Sequence, residues 1–172
     1  MDNLDAQLIQ LYTTEPRVGV LEASRRLGVA RGTVQARLDR LVDRGVITGF
    51  GPDLSTAALG YPVTGFLTLE IAQGRGHDLV ARGLARVPEV LEAFTITGSG
   101  DMWARVVARS NADLQRVIDQ VLAIEGIERS STVVALAEQV PYRALPLVDA
   151  AASARRDLDT GPRSSGLTRS AE

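Results

Sequence analysis

Six arginines, Arg25, Arg26, Arg31, Arg37, Arg40 and Arg44, crowd the segment between Ser24 and Arg44, which holds only two acids, Asp39 and Asp43. The whole chain has a formal net charge of −2, so this local positive excess calls for an anionic partner. The arginines surround "RRLGVARGTVQARLDRLVDRGVI" (25–47), in which Gly28 marks a tight turn between two helical patterns. In the second pattern Val34, Leu38 and Leu41 fall at i, i+4 and i+7 and define one buried stripe. The opposite side carries Gly32, Ala36, Asp39 and Arg40, with Thr33 nearby and Arg31, Gln35 and Arg37 flanking it. Small residues edged by donors suit a major groove, where Gln can pair with adenine and Arg with guanine or phosphate. A solvated amphipathic helix is the competing reading, and Asp39 and Asp43 favour it because phosphates repel acids. Both lie toward the C-terminal end, whereas recognition helices read bases from their N-terminal half. The expected contacts to double-stranded DNA are Arg31, Gly32, Thr33, Gln35, Ala36, Arg37 and Arg40.

Other candidate chemistry is sparse. "GSGD" (98–101) reads first as a hairpin turn, since glycine and aspartate are favoured there. "GRGHD" (74–78) lacks the spacing and the Lys-Ser/Thr of a phosphate cradle. The chain has no cysteine and one histidine, His77, so neither a thiolate nor a multi-histidine metal site can be built. No serine or carboxylate pair has a plausible base partner, and Trp103 reads as a sheet-packing residue. The sequence therefore predicts no catalytic residue, no metal and no cofactor.

At 172 residues and 45% hydrophobic content the chain can bury a core in one or two small domains. It lacks 18 consecutive apolar residues, and Met1 is followed by Asp2, Asn3 and Leu4 and not by a basic leader. A cytoplasmic location with no membrane partner is the expectation. Residues 61–140 hold seven arginines against ten acids, so a basic first third precedes an acidic body, which suggests two modules.

The elements that must position these residues follow from periodicity. "LDAQLIQLY" has Leu4, Leu8 and Leu11 at helical spacing, a second helix spans about Val20–Leu27, and a third runs from Arg31 to about Arg44. Ser24, four before Gly28, is small enough to let the second helix lie against the third. "VITGFG" reads as a short strand or wing. From Pro62 the period becomes two, with Val63, Gly65, Leu67, Leu69 and Ile71 on one strand face. A helix with Leu79, Val80, Gly83, Leu84 and Val87 inward comes next. "VLEAFTIT" and "MWARVVARS" flank "GSGD" as a hairpin. "NADLQRVIDQVLAI", capped by Ser110 or Asn111, buries Leu114, Val117, Ile118, Val121 and Leu122, and "RSSTVVALAEQV" is the last strand. The order β-α-β-β-α-β is a split βαβ of the ferredoxin-like kind, and "VPEV" (87–90) and "IEGI" (124–127) recur at matching places. Past Pro141 the pattern decays into a loose helix over 147–158 and a disordered "TGPRSSGLTRSAE".

The opening "LDAQLIQL", Arg17 before the second helix, and "EASRRLGVARGTVQARLDRLVDRGVITGF" with Gly28, Val34, Arg37, Leu41, Gly45, Ile47 and Gly49 form one ordered pattern. "DLSTAALG" and then "TGSGD" (97–101) continue it. Over residues 4–140 this order and spacing resembles the Lrp/AsnC (feast/famine) family of prokaryotic transcription regulators. The resemblance implies an α+β chain: a winged helix-turn-helix at 1–50, a linker at 51–61, and a ferredoxin-like effector-binding and oligomerisation domain at 62–140. Residues 141–172 form a C-terminal extension without counterpart. It implies a sequence-specific DNA-binding regulator modulated by an amino acid or related small metabolite, and a homodimer that can gather into tetramers or octamers. The implied effector pocket is lined by Gly98, Ser99, Gly100 and Asp101 and completed by a neighbouring subunit. Backbone N–H groups near Gly98 and Gly100 would take a carboxylate, Asp101 an ammonium, and Ser131 or Thr132 would add a hydroxyl. Ala30 stands where the family usually has a serine cap, Thr33 where proline is common, and Gly100 where an aromatic residue is frequent, which leaves more room or less apolar wall in the pocket. Two other readings stay open: a ligand-sensing scaffold whose helix-turn-helix no longer binds DNA, and an enzyme like the tetrapyrrole-processing decarboxylases. The latter resemble the same two-domain architecture and rely on histidine.

Overall fold

The computed structural model describes residues 1–72, 74 and 76–159. In chain order the elements are α1 (Asn3–Thr14), α2 (Val20–Leu27), α3 (Arg31–Asp43), β1 (Val63–Ile71), α4 (His77–Leu84), β2 (Val90–Thr95), β3 (Met102–Ala108), α5 (Asn111–Leu122), β4 (Ile127–Val134) and α6 (Leu145–Asp159). They sort into two compact units, one of residues 1–52 with the segment from Pro141 onward, the other of residues 53–140.

The first unit is helical. Asp2 caps α1 in a capping box: the Asp5 N–H donates to Asp2 Oδ1 at 2.9 Å, and the Asp2 N–H donates to Asp5 Oδ2 at 3.1 Å. Leu8, Ala23, Val34 and Leu38 form the core, with Leu4, Leu11, Val20, Leu27 and Ile47 packed around it. Gly28 ends α2 at φ 65, a left-handed conformation that a side chain rarely adopts, and turns the chain into α3. Ser24 is buried against this turn, and its hydroxyl donates to the Leu21 carbonyl at 2.7 Å. The N-cap of α3 is Ala30, which makes no side-chain cap bond, at a cost of about 1 kcal/mol relative to serine. After Gly45 the "VITGFG" segment seats Ile47 on the core but pairs with no strand among the described residues.

The expected loose helix near the C-terminus is a packed one. Leu145, Val148 and Ala152, at i, i+3 and i+7, form the inward stripe of α6, which lies on α1; Ala152 is 3% exposed. Ala6 of α1 is buried as well, though it lies outside the three-helix core. Alanines on both helices allow close approach. A chain truncated after Val140 should therefore lose about 1–3 kcal/mol of stability in this unit, read as a lower urea midpoint. An unchanged midpoint would show α6 to be dispensable. The expected disorder of "TGPRSSGLTRSAE" concerns residues 160–172, which lie outside the described residues.

The second unit has the β-α-β-β-α-β order with a fully antiparallel sheet, β2-β3-β1-β4. Residues at odd positions of β1 face the helices: Leu67 and Leu69 pack with Met102 and Val106, with Val80 and Leu84 of α4, and with Leu114, Val117 and Val121 of α5. Gly65 belongs to this face because a Cβ there would press Leu114 Cδ1 at 3.2 Å and Val106 Cγ2 at 3.3 Å. Ser110 caps α5, accepting from the Asp113 N–H at 3.1 Å. Leu122, expected inside, is 37% exposed, and β4 ends at Val134, short of the strand anticipated to Val140. No helix of the described residues is long and apolar enough to cross a membrane.

Candidate nucleic-acid interface and effector hairpin

The outward side of α3 presents Arg31, Gly32, Thr33, Gln35, Ala36, Asp39 and Arg40, all exposed, while Val34, Leu38 and Leu41 are buried beneath. Seven residues were expected at this surface, and Arg37 is the one held back. It is only 24% exposed, and its Nη1 donates to both Asp2 Oδ2 and Asp5 Oδ1 at the start of α1. Arg40 is half exposed and donates to the same Asp5 oxygen at 3.0 Å. Asp5 is almost fully buried between the two guanidiniums. Burial pushes its carboxyl up, but the Asp2 N–H and Arg37 outweigh that and hold it below the usual carboxylate range. The Arg37 hydrogen bond likewise holds Asp2 low.

The remaining arginines divide in the same way. Arg26 pairs with Glu15 and Glu22, and Arg25 lies 3.9 Å from Glu22. Arg31 and Arg44 pair with no carboxylate among the described residues. The basic cluster is therefore largely neutralised by acids that lie before it in the chain: residues 1–52 hold seven arginines against six acids.

In the second unit Ile96–Asp101 joins β2 to β3. The Ile96 N–H donates to the Asp101 carbonyl at 3.0 Å, and the Asp101 N–H donates to the Leu69 carbonyl at 2.8 Å. The Asp101 carboxylate is engaged at one of its two oxygens. Its Oδ2 accepts from the Ile71 N–H at 2.7 Å and so clamps the hairpin to the end of β1. Gly98 and Ser99 are exposed, and no described hydrogen bond uses the N–H of Gly98, Ser99 or Gly100.

Gly100 corrects the expectation of added room. At φ 98, a Cβ there would lie 2.5 Å from Thr68 Cγ2 and 3.2 Å from the Leu69 carbonyl oxygen. The place that the first side-chain carbon would take is already occupied. Thr68 stands directly opposite Ser131 of β4 and Trp103 of β3, so Gly100, Thr68 and Ser131 gather at one end of the sheet face turned away from the helices. Thr132 pairs with Leu67 and faces the helix side, away from this group. Thr68 was missed from the sequence because only the strand register brings it between Gly100 and Ser131. The same open face carries Phe66 stacked on Trp103 at 5.2 Å and Phe94 at 5.9 Å from Trp103. His77 is an exposed residue at the start of α4, and no metal-binding cluster exists among the described residues.

A glycine-turned helix pair with an exposed N-terminal recognition surface, carried with a one-sided split βαβ sheet, defines a two-domain DNA-binding regulator. Family models match both halves: a winged helix-turn-helix DNA-binding domain over residues 1–48 and the Lrp/AsnC ligand-binding domain over residues 64–145. An uncharacterized HTH-type transcriptional regulator of Pyrococcus furiosus is 34% identical over 136 residues, covering 79% of this chain and 91% of its own. The regulatory protein AsnC of Escherichia coli is 29% identical over 137 residues, covering 79% and 90%. The AsnC structure superposes with a TM-score of 0.78 at 27% identity, covering 85% of this chain and 99% of that one. A Neisseria meningitidis regulator, solved in complex with L-methionine, shares the fold with a TM-score of 0.76 at 23% identity, covering 86% and 97%. The chain belongs to the Lrp/AsnC family of transcriptional regulators.

Proposed function

We propose that this regulator is a homodimer without catalytic chemistry that reads duplex DNA through α3 and answers to a small amino acid. The observation that carries the reading is the low, exposed face of Arg31, Gly32, Thr33, Gln35, Ala36 and Arg40 over a buried stripe. Arg37 serves this surface from behind, through Asp2 and Asp5, and does not touch DNA. Arg31, Arg40 and Arg44 supply the phosphate contacts. Gln35 and Thr33, uncharged and in the first half of the helix, supply discrimination.

The open sheet face supports dimerisation. Helices cover only one side of the sheet, and the other presents Phe66, Trp103, Phe94 and Val133, the last two 52% and 65% exposed. An aromatic patch of this kind is stable in water when covered, and a second copy covers it by two-fold symmetry. Because Gly98–Asp101, Thr68 and Ser131 adjoin that face, a neighbouring subunit can complete the pocket. The free N–H groups of the hairpin suit a carboxylate, and Ser131 and Thr68 offer hydroxyls to an ammonium. The L-methionine complex of the N. meningitidis regulator supports an amino acid as the ligand class.

Selection from a random duplex library tests the reading. The expected product has two-fold related half-sites roughly 10 bp apart. With about three phosphate contacts per chain, affinity should fall with salt with a log–log slope near −5 for the dimer. Binding to no duplex at low salt would leave a ligand-sensing scaffold in its place. The same preparation, screened with the twenty amino acids by thermal shift and sized by light scattering, tests the effector and the dimer.

A further inference from the structure

Asp39 is the residue on α3 whose presence is hardest to reconcile with a phosphate-facing surface: it is an exposed acid among the proposed contacts. Its place becomes intelligible through Gln35, one turn earlier. Gln35 Nε2 donates to Asp39 Oδ1 at 2.8 Å. At the other helical neighbours of Asp39, three and four residues away, stand Ala36, Val42 and Asp43, so Gln35 is the donor the helix offers it. No arginine pairs with Asp39 among the described residues.

Resting on the DNA-reading role proposed for α3, we infer that Asp39 is a positioning residue that fixes the amide of Gln35 for base recognition. A carboxylate only accepts hydrogen bonds, so the amide nitrogen must turn toward Asp39 and the carbonyl oxygen away. The flipped amide, which would present oxygen to oxygen, is excluded. What Gln35 offers outward is then one acceptor, Oε1, beside one remaining N–H. Adenine presents the complementary pair in the major groove, a donor at N6 beside an acceptor at N7. A free glutamine samples both amide orientations and many rotamers, and must be ordered at the moment of binding. The clamp removes that disorder beforehand. The repulsion of one acid by phosphate is exchanged for selectivity at one base pair.

The two roles of an acid at this position move binding in opposite directions, which makes the test sharp. A duplex obtained by library selection, its variants at each base pair and a random duplex serve as probes. Gln35→Ala first identifies the base pair whose preference depends on Gln35. At that pair, Asp39→Ala should lower discrimination about tenfold, while affinity for the random duplex rises about twofold because a negative charge has gone. Asp39→Asn keeps an oxygen that can accept from Gln35 Nε2 but adds an amide donor that admits the flipped Gln35, so it should recover only part of the discrimination while keeping the gain in random-duplex affinity. Adding Asp39→Ala to Gln35→Ala should cause no further loss of discrimination. Intact discrimination in Asp39→Ala would reduce Asp39 to a solvated acid. Full wild-type discrimination in Asp39→Asn would show that an acceptor-only partner is not what sets the Gln35 amide. If the wild-type chain itself binds no duplex, the DNA-reading proposal falls, and this inference with it. If it binds selectively and the variants discriminate unchanged, this inference alone falls.

Discussion

Gly100→Ala should destabilise the sheet unit by about 3 kcal/mol, a large effect for one methyl group at a half-buried position. Two costs combine. The backbone at φ 98 lies where a side chain is strained by about 1–3 kcal/mol. The new Cβ would also sit 2.5 Å from Thr68 Cγ2 and 3.2 Å from the Leu69 carbonyl oxygen. Thr68 is β-branched and paired on both sides within the sheet, and the carbonyl oxygen is backbone, so neither can yield without moving β1. Gly98, at φ 111, has open space around its missing side chain, so Gly98→Ala should carry only the backbone part. Urea denaturation followed by Trp103 fluorescence separates the two. Equal, small losses at both positions would show that the hairpin relaxes freely and that Gly100 is not wedged against β1.

The second large effect belongs to Asp5. Asp5→Ala should cost the helical unit about 2–4 kcal/mol. It removes the common acceptor of Arg37 and Arg40 and dismantles half of the capping box, while leaving Arg37 only 24% exposed with Asp2 as its one remaining partner. The linkage has a definite sign. Asp2 and Asp5 both have carboxyls held below their ordinary range in the folded chain. Their contribution is complete above the unfolded value, about 3.9, and is lost as pH falls through the lower folded values. The helical unit should therefore weaken as pH drops below about 4, and Asp5→Asn should flatten that fall while lowering stability at neutral pH. A parallel acid titration of wild type and variant, followed by helical circular dichroism, would contradict this if the two curves kept a constant separation.

Much of the architecture was legible because it rests on periodicity. The stripe Val34, Leu38 and Leu41, the turn at Gly28 and the alternation through Gly65, Leu67 and Leu69 are local patterns, and each ended on the face it indicated. The site was read less well, for reasons that are long-range. The basic segment between Ser24 and Arg44 excludes Asp2, Asp5 and Glu15, which fold back onto Arg37, Arg40 and Arg26, and also Glu22, one turn before Arg25 and Arg26. Gly100 looked like vacated space because a sequence does not show what lies against a backbone. Ser131 and Thr132 looked interchangeable, although adjacent strand residues face opposite sides and only register decides which one meets Thr68. The helix near the C-terminus was expected but its packing was not, because its stripe ends in alanine, which contributes little to an apolar pattern yet packs closely.

That last helix has a consequence for how the protein is made. The helical unit is discontinuous, assembled from residues 1–52 and from the segment after Pro141, with the whole sheet unit interposed. A ribosome adding about 5–20 residues per second needs on the order of ten seconds to travel from Pro52 to Leu145. Through that interval α1 waits with the flank around Ala6 bare, while β1 to β4 emerge and can complete their own core. The sheet unit can thus complete its core on the nascent chain before the helical unit is whole. The helical unit is the part of the molecule completed last.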